Sequence, residues 1–312
     1  MDTKTTAEFT KALEQLNSGQ RAAATTIEGP VMVLAGPGTG KTQTLTVRIG
    51  NILQQTQLDP WNILCLTFTE SAAAEMRERL AGLIGEPAYH VHISTFHAFC
   101  NSVLQDHPEI FALASDWKPL SDVERVKIVQ ETIDGLSGTS PLKPFGAPYL
   151  YLKDVVQHVQ VLKQEDISPE QFKDILKQIT SFVSDVSGKV KKFSQVKAAD
   201  RTDDDCDGIL ALLKAAAEKH DMPQVIVQRI DELEEQFVSM REAAEGKREA
   251  GKARTACKNS VKRMIGAMEN NLPRWQELAK VYVSYQKRLA DEGRYDFEDM
   301  IIRVVEEFKQ NS

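Results

Sequence analysis

The sequence predicts an α/β fold: an incomplete parallel sheet covered by helices, with a large all-helical domain inserted into it. Three observations carry that reading. Short apolar runs alternate with helical patterns through the first third, a glycine-rich loop closes the first of those runs, and from about Pro119 helices joined by loops replace the alternation.

Taken in order, VMVLA (31–35) is a β-rich run that ends in the glycine loop, and TQTLTVRIGNIL places Leu45, Ile49 and Ile52 on one helical face. NILCLTF (62–68) is the second strand. SAAAEMRERLAGLIG (71–85) is a helix stopped by Gly85 and Pro87, and VHIST (91–95) is a third strand, so the order is β-α-β-α-β. In the insert, DGLSGTSPLKPFGAP (134–148) is a Pro/Gly-rich loop. Ser168, Pro169 and Gln171 open a helix, as cap, first-turn proline and capping-box partner. RTDDDCDG (201–208) reads as an acidic, exposed connector. Ile226, Ile230, Leu233, Phe237, Met240 and Ala244 follow the four-three spacing of a helix in a long hairpin. The expected domains are 1–118, 119–290 as the helical insert, and 291–312 returning to the first.

Composition narrows the class. Of 312 residues 42% are hydrophobic and 27% charged, enough for a substantial core in two domains. No apolar run approaches a bilayer span and the N-terminus has no signal-peptide core, so a cytoplasmic protein with no membrane partner is expected. Cys65, Cys100, Cys206 and Cys257 lack CxxC spacing, which argues against a zinc site or a disulfide framework and for reduced, packed thiols. The net charge of -7 hides an uneven distribution. Lys+Arg against Asp+Glu is 8 to 12 over 1–118, 27 to 26 over 119–290 and 3 to 7 over 291–312, and residues 241–263 hold eight basic residues against three acidic. A local patch of that kind can bind nucleic acid on an acidic protein; its bland alternative is a solvated helix face.

The strongest motif is AGPGTGKT: Ala35, Gly36, Pro37, Gly38, Thr39, Gly40, Lys41 and Thr42. Between a strand and a helix, such glycines let backbone N–H groups curl around phosphate oxygens; the helix N-terminus adds positive potential, Lys41 bridges the terminal phosphates and Thr42 can ligate Mg²⁺. The motif implies nucleotide binding in a P-loop fold, with Ala35 where glycine is usual. His90, His92 and His97 lie close in sequence, but no Asp/Glu/Cys cluster supports a metal site there.

Three flanking segments go further: Leu16–Arg21 upstream, LTFTESAAAEMRERL (66–80) after the second strand, and STFHAFC (94–100) after the third. With the loop they resemble the UvrD/Rep family of superfamily 1 helicases, closely over about residues 13–107 and again in LKQEDISPEQF (162–172) and YVSYQKRLADEGRYDFEDMI (282–301). The resemblance implies a RecA-like domain with a helical insert, ATP and Mg²⁺ as cofactors, and single-stranded and duplex or forked DNA as partners; protein partners stay open. It implies that Gln20 reads adenine and that Phe68, Thr69, Thr95, Phe96 and His97 face single-stranded DNA, with core packing as the alternative for the two aromatics. It places the insert near the duplex, where Lys247, Arg248, Lys252 and Arg254 would touch phosphates. Glu70 and Ser71 stand where many relatives carry Asn-Lys, Ser94 where many have glycine, and the TFTE form also looks like the helicase-nuclease branch of RecB and AddA.

Hydrolysis of ATP in such enzymes needs an Asp-Glu pair after an apolar strand, and the 312 residues contain none. Asp296-Phe297-Glu298-Asp299 follows the polar DEGRY and reads instead as a helix start, with Asp296 as cap and Phe297, Met300, Ile301, Val304, Val305 and Phe308 on one face. The resulting expectation is the N-terminal part of an ATP-dependent 3'-to-5' DNA helicase or translocase active in repair or recombination, with Lys41 as its catalytic residue and little activity by itself. The alternatives are a helicase-nuclease subunit and a non-hydrolysing DNA-binding or interaction module.

Overall fold

The computed structural model describes residues 3–111 and 117–310. The chain divides into two compact units, residues 1–115 with 300–312, and residues 116–299.

In the first unit, α1 (Thr3–Glu14), α2 (Ser18–Thr25) and α3 (Lys41–Gln55) precede β1 (Leu64–Thr67), α4 (Glu70–Ile84), β2 (His92–Thr95) and α5 (Phe96–Asp106). β1 and β2 pair in parallel, with Leu64 opposite His92 and Thr67 opposite Thr95. Parallel neighbours need a crossover, and α4 provides it. Phe9, Leu16, Val47, Ile49, Cys65, Met76, Leu80, Ile84 and Ile93 form the core. Gly50 admits α1 closely: a Cβ there would meet the Phe9 ring at 2.8 Å. Two caps fix where the strands give way to helices, Thr69 accepting from Ala72 N and Thr95 from Ala98 N.

Residues 31–35 form no strand, contrary to the expectation from VMVLA, and Met32 and Leu34 are 83% and 87% exposed. The run has the right composition, but a strand exists only by hydrogen-bonding to a neighbour, and among the described residues β1 and β2 pair with each other and with no third strand. Four consecutive exposed apolar residues, Val31–Leu34, make this segment an association hazard. The Met32→Lys/Leu34→Lys variant is therefore expected to lower light scattering of the concentrated chain while leaving its thermal midpoint unchanged; equal scattering by both proteins would count against the segment as the sticky surface.

The second unit is helical: α6 (Asp122–Asp134), α7 (Leu152–Gln164), α8 (Pro169–Gln195), α9 (Asp203–Lys219), α10 (Gln224–Glu242) and α11 (Lys247–Asp291). A minimal parallel pair, β3 (Lys118–Pro119) with β4 (Arg294–Tyr295), ties its two ends together. α11 is the spine, packed on α6, α8, α9 and α10 and continuous through Pro273. Ser168 and Gln171 form the capping box expected at the start of α8. The supposed connector 201–208 is different: Arg201 is buried and Thr202 with Asp205 makes a capping box that starts α9. Thr followed by three aspartates is a helix start, because the hydroxyl caps orphan N–H groups and the carboxylates suit the positive end of the helix. α12 (Phe297–Gln310) begins in this unit and ends in the first, and its Asp296 cap is present, accepting from Asp299 N at 3.0 Å. Residues 291–299 thus belong to the second unit, although the sequence grouped them with the return segment. No described helix is long and apolar enough to cross a membrane.

Candidate nucleotide loop and nucleic-acid interface

The loop from Ala35 to Thr42 delivers the chain into α3. Gly40 occupies the N-cap position with φ of 81°, a left-handed conformation that glycine adopts without strain. A second constraint acts at the same residue, since a Cβ on Gly40 would lie 2.9 Å from Gln20 Nε2. Thr39 Oγ1 donates to Gly36 O at 2.8 Å and closes the turn. Lys41 reaches back over the loop, its Nζ donating to Ala35 O at 2.9 Å and Gly36 O at 3.2 Å. The ammonium therefore sits against the loop's carbonyls, at the start of a helix whose first N–H groups have no intrahelical partner. Thr42, half-buried, follows in that turn. Loop, Gln20, Val31 and Val33 line a cleft of about 740 Å³, a size suited to a small ligand.

Gln20 belongs to this cleft. Its amide Nε2 donates to Thr39 O at 2.8 Å and its Oε1 accepts from Asn17 N at 3.0 Å, so the side chain fastens the start of α2 to the loop. Among the described residues no group of three His, Cys, Asp or Glu could hold a metal ion unaided, so an ion here would take most of its ligands from phosphate and water.

On the same unit, Phe68 and Phe96 stand at the C-terminal ends of β1 and β2, with ring centroids 5.7 Å apart and planes tilted by 46°. Phe68 is 91% exposed and Phe96 40%, so core packing does not account for Phe68. Thr69 and Thr95 are the caps of α4 and α5, and Thr95 also donates to Glu70 Oε1 at 2.9 Å. His97 is exposed in the first turn of α5. The structure thus assembles two aromatic rings and two helix N-termini along one strand-end edge.

In the second unit, α10 and α11 form the hairpin expected from the four-three spacing, with Ile230, Leu233 and Phe237 buried. Lys247, Arg248 and Lys252 are exposed in the opening turns of α11. Arg254 is not part of that free set: its Nε meets Asp203 Oδ1 at 2.7 Å and its Nη1 donates to Arg201 O at 3.0 Å. Arg241 pairs with Asp207 at 2.8 Å. The acidic stretch before and within α9 therefore neutralises two of the eight basic residues counted in the sequence.

One constellation escaped the sequence reading. Lys163, 1% exposed, meets Asp296 at 2.5 Å and Asp299 at 2.9 Å, and lies 5.1 Å from the Tyr285 ring. Tyr285 donates to Asp296 Oδ2 at 3.0 Å; burial, then the Asp296 charge, pushes its hydroxyl well above the ordinary range, so it stays a donor. Burial pushes Asp296 up, but the Lys163 charge and its hydrogen bonds outweigh burial and hold the carboxyl below its usual range. For Asp299 burial prevails and the carboxyl is raised. Beside them Gln160 donates to Glu298 Oε1 at 2.8 Å, and Arg125 approaches Glu298 Oε2 at 3.6 Å. The signal was present: Val155, Val159 and Lys163 share one buried stripe of α7, and a lysine on such a stripe needs a buried counter-charge. The network joins the two outlying segments, 162–172 and 282–301, that carried the family resemblance.

The family model described as UvrD/REP helicase N-terminal domain matches residues 16–234. The ATP-dependent DNA helicase PcrA of Staphylococcus epidermidis (strain ATCC 35984) is 34% identical over 121 residues, which are 39% of this chain and 17% of that protein. PcrA of Staphylococcus aureus (strain Mu50) is 33% identical over a match of the same extent. The match thus spans 17% of the length of these relatives.

Proposed function

Because the chain belongs to the family of UvrD/REP helicase N-terminal domains, we propose that it is the ATP- and DNA-binding part of an ATP-dependent 3'-to-5' DNA helicase or translocase of the repair or recombination type, its first unit corresponding to a RecA-like domain and its second to the helical insert. The observation that carries the reading is the loop: Lys41 folded over Ala35 and Gly36 at the N-terminus of α3, with Gln20 bonded to the same loop, in a cleft of nucleotide size. Phosphate oxygens would replace the two carbonyls at Lys41, a charge-assisted exchange, and accept from the free N–H groups of residues in the loop and first turn. Thr42 would share Mg²⁺ with the phosphates, and the Gln20 amide, with both a donor and an acceptor, would turn to the adenine edge. ATP supplies the free energy for domain closure and stepping along the strand.

DNA on this reading crosses Phe68, Thr69, Thr95, Phe96 and His97, and meets the insert at Lys247, Arg248 and Lys252. Arg254 would contribute by holding α11 to α9 rather than by touching phosphate. A helicase-nuclease subunit is the second reading, favoured by the Glu70 that follows Thr67-Phe68-Thr69 and bonds to Thr95.

The test is calorimetric titration of the purified chain with ATP and Mg²⁺. Wild type is expected to bind, Lys41→Ala at least about tenfold more weakly, since a charge-assisted contact is worth roughly 1.5–3 kcal/mol. Turnover with single-stranded DNA is expected to be negligible, because among the described residues no strand ends in Asp-Glu. Equal affinity in the Lys41→Ala variant would remove the loop from the proposal, and robust DNA-stimulated turnover would show that the carboxylates come from elsewhere in the chain.

A further inference from the structure

Two of the four cysteines are not solitary. Cys206 on α9 and Cys257 on α11 are both buried in the core of the second unit, and α9 packs directly on α11. One turn before each of them, Asp203 and Arg254 are joined at 2.7 Å. α10 runs antiparallel to α9, pairing Asp207 with Arg241 and Lys214 with Glu234, and turns back into α11 over a short connection, so α9 and α11 run in the same direction and a register that pairs 203 with 254 places 206 beside 257. The two thiols also act on each other's ionisation: Cys257, then the Arg201 charge, lowers Cys206, while Cys257 is raised, first by Cys206 and then by burial. Cys65 and Cys100, by contrast, are simply pushed up by burial.

Arg201 adds an independent observation. It is 1% exposed, lies 5.3 Å from the Phe193 ring, and donates through Nη2 to Val196 O, yet its Nε and Nη1 are buried with no hydrogen-bond partner. A buried guanidinium with two idle donors needs an anion nearby. The nearby carboxylates do not bond the two idle donors: Asp203 is held by Arg254 and Asp205 by the Thr202 cap, where it feels the Arg201 charge without meeting those N–H groups. A thiolate at Cys206 fills that requirement.

We propose that Cys206 and Cys257 are an oxidation site, a dithiol that a hydroperoxide converts to a reversible intrachain disulfide stapling α9 to α11. The Cys206 thiolate attacks the peroxide; the S–O bond forms, the O–O bond breaks, and the leaving alkoxide or hydroxide takes up a proton, leaving a sulfenic acid on Cys206. The Cys257 sulfur then attacks that sulfenic sulfur; the S–S bond forms and the hydroxyl departs with the Cys257 proton as water. Both sulfurs are oxidised by one electron each and the peroxide is reduced by two. The Arg254–Asp203 pair, one turn from the thiols, is part-exposed, so a small oxidant needs only a local opening of one turn to reach them. This proposal does not depend on nucleotide or DNA binding.

The experiment treats the 312-residue chain with hydrogen peroxide, counts free thiols, and maps linked peptides by mass spectrometry before and after dithiothreitol. Loss of two of the four thiols, a peptide linking Cys206 to Cys257, recovery on reduction, and a thermal midpoint raised by at least about 5 °C are expected. In Cys257→Ser, dimedone should trap a sulfenic acid on Cys206; in Cys206→Ser, Cys257 should stay unmodified. Four free thiols after a treatment that consumes glutathione, or oxidation confined to Cys65, Cys100 or intermolecular links, would overturn the proposal. If either serine variant fails to fold, the wild-type peptide map alone decides.

Discussion

Replacing Lys163 by methionine is expected to destabilise the second unit by about 3–5 kcal/mol at neutral pH, the cost of leaving a buried charge without its partner. Methionine keeps the length of the side chain, so what is lost is the ammonium that meets Asp296 at 2.5 Å and Asp299 at 2.9 Å. For a unit of this size the thermal midpoint should fall by roughly 10 °C. Electrostatics then fixes how the loss varies with pH. In the wild type, Asp296 is held below its usual range, so its contribution is present above the unfolded carboxylate value, about 3.9, and is lost as the pH falls through the lowered folded value. Without Lys163 burial, the largest influence, still raises Asp296 and only the hydrogen bonds from Asp299 are left to lower it, while Asp299 is raised already. Carboxyls raised in the folded state cost stability as the pH rises through them, so the deficit of Lys163→Met relative to wild type should shrink between pH 7.5 and pH 5. Urea melts at the two pH values read this directly. A deficit below about 1 kcal/mol, or one that grows on acidification, would mean that the cluster is not the anchor its geometry describes. The same cluster links α7 to the start of α12, so the effect should appear in the melting of the whole second unit rather than as local fraying.

Much of this was legible in the sequence, and the failures have a common cause. Features set by neighbours in the chain were readable: the AGPGTGKT loop opening α3, the Ser168 cap, Gly85 at the end of α4, and Asp296 as a cap. Each rests on contacts within about four residues, where residue type and spacing are enough. Features set by partners far along the chain were not. The run 31–35 had strand composition but no strand to pair with, Lys163 finds its counter-charges more than 130 residues away, and Arg254 is taken out of the basic patch by Asp203 from another helix. The acidic connector read at 201–208 is the exception, since the Thr202–Asp205 capping box that starts α9 there, with Arg201 and Cys206 buried, is local and was present in the sequence. The exposed aromatic pair lies between these cases. Family resemblance pointed to Phe68 and Phe96, while the residues alone left packing and stacking equally open, and exposure now removes core packing for Phe68.

Phe68→Ala should accordingly weaken binding of a short oligothymidylate by about tenfold to a hundredfold while leaving the stability of the first unit within about 0.5 kcal/mol of wild type. The two halves of that expectation come from one number, the 91% exposure of the ring: a side chain that buries almost nothing in the folded chain contributes almost nothing to its stability, and all of its apolar surface is available to a base. Base–aromatic stacking is worth about 1–3 kcal/mol per base, and Phe96, 5.7 Å away, offers a second ring at the neighbouring strand end. Stacking releases no counterions, so the slope of log affinity against log salt should be the same for Phe68→Ala and wild type. Charge reversal at Lys247, Arg248 and Lys252 acts the other way on forked DNA, lowering the slope because those contacts go to phosphates. Anisotropy titrations at four salt concentrations distinguish the two kinds of contact. Undiminished affinity in Phe68→Ala would exclude the strand-end edge as the path of the strand; a weakened affinity with a flattened salt slope would mean that Phe68 shapes the backbone around a phosphate contact instead of stacking on a base.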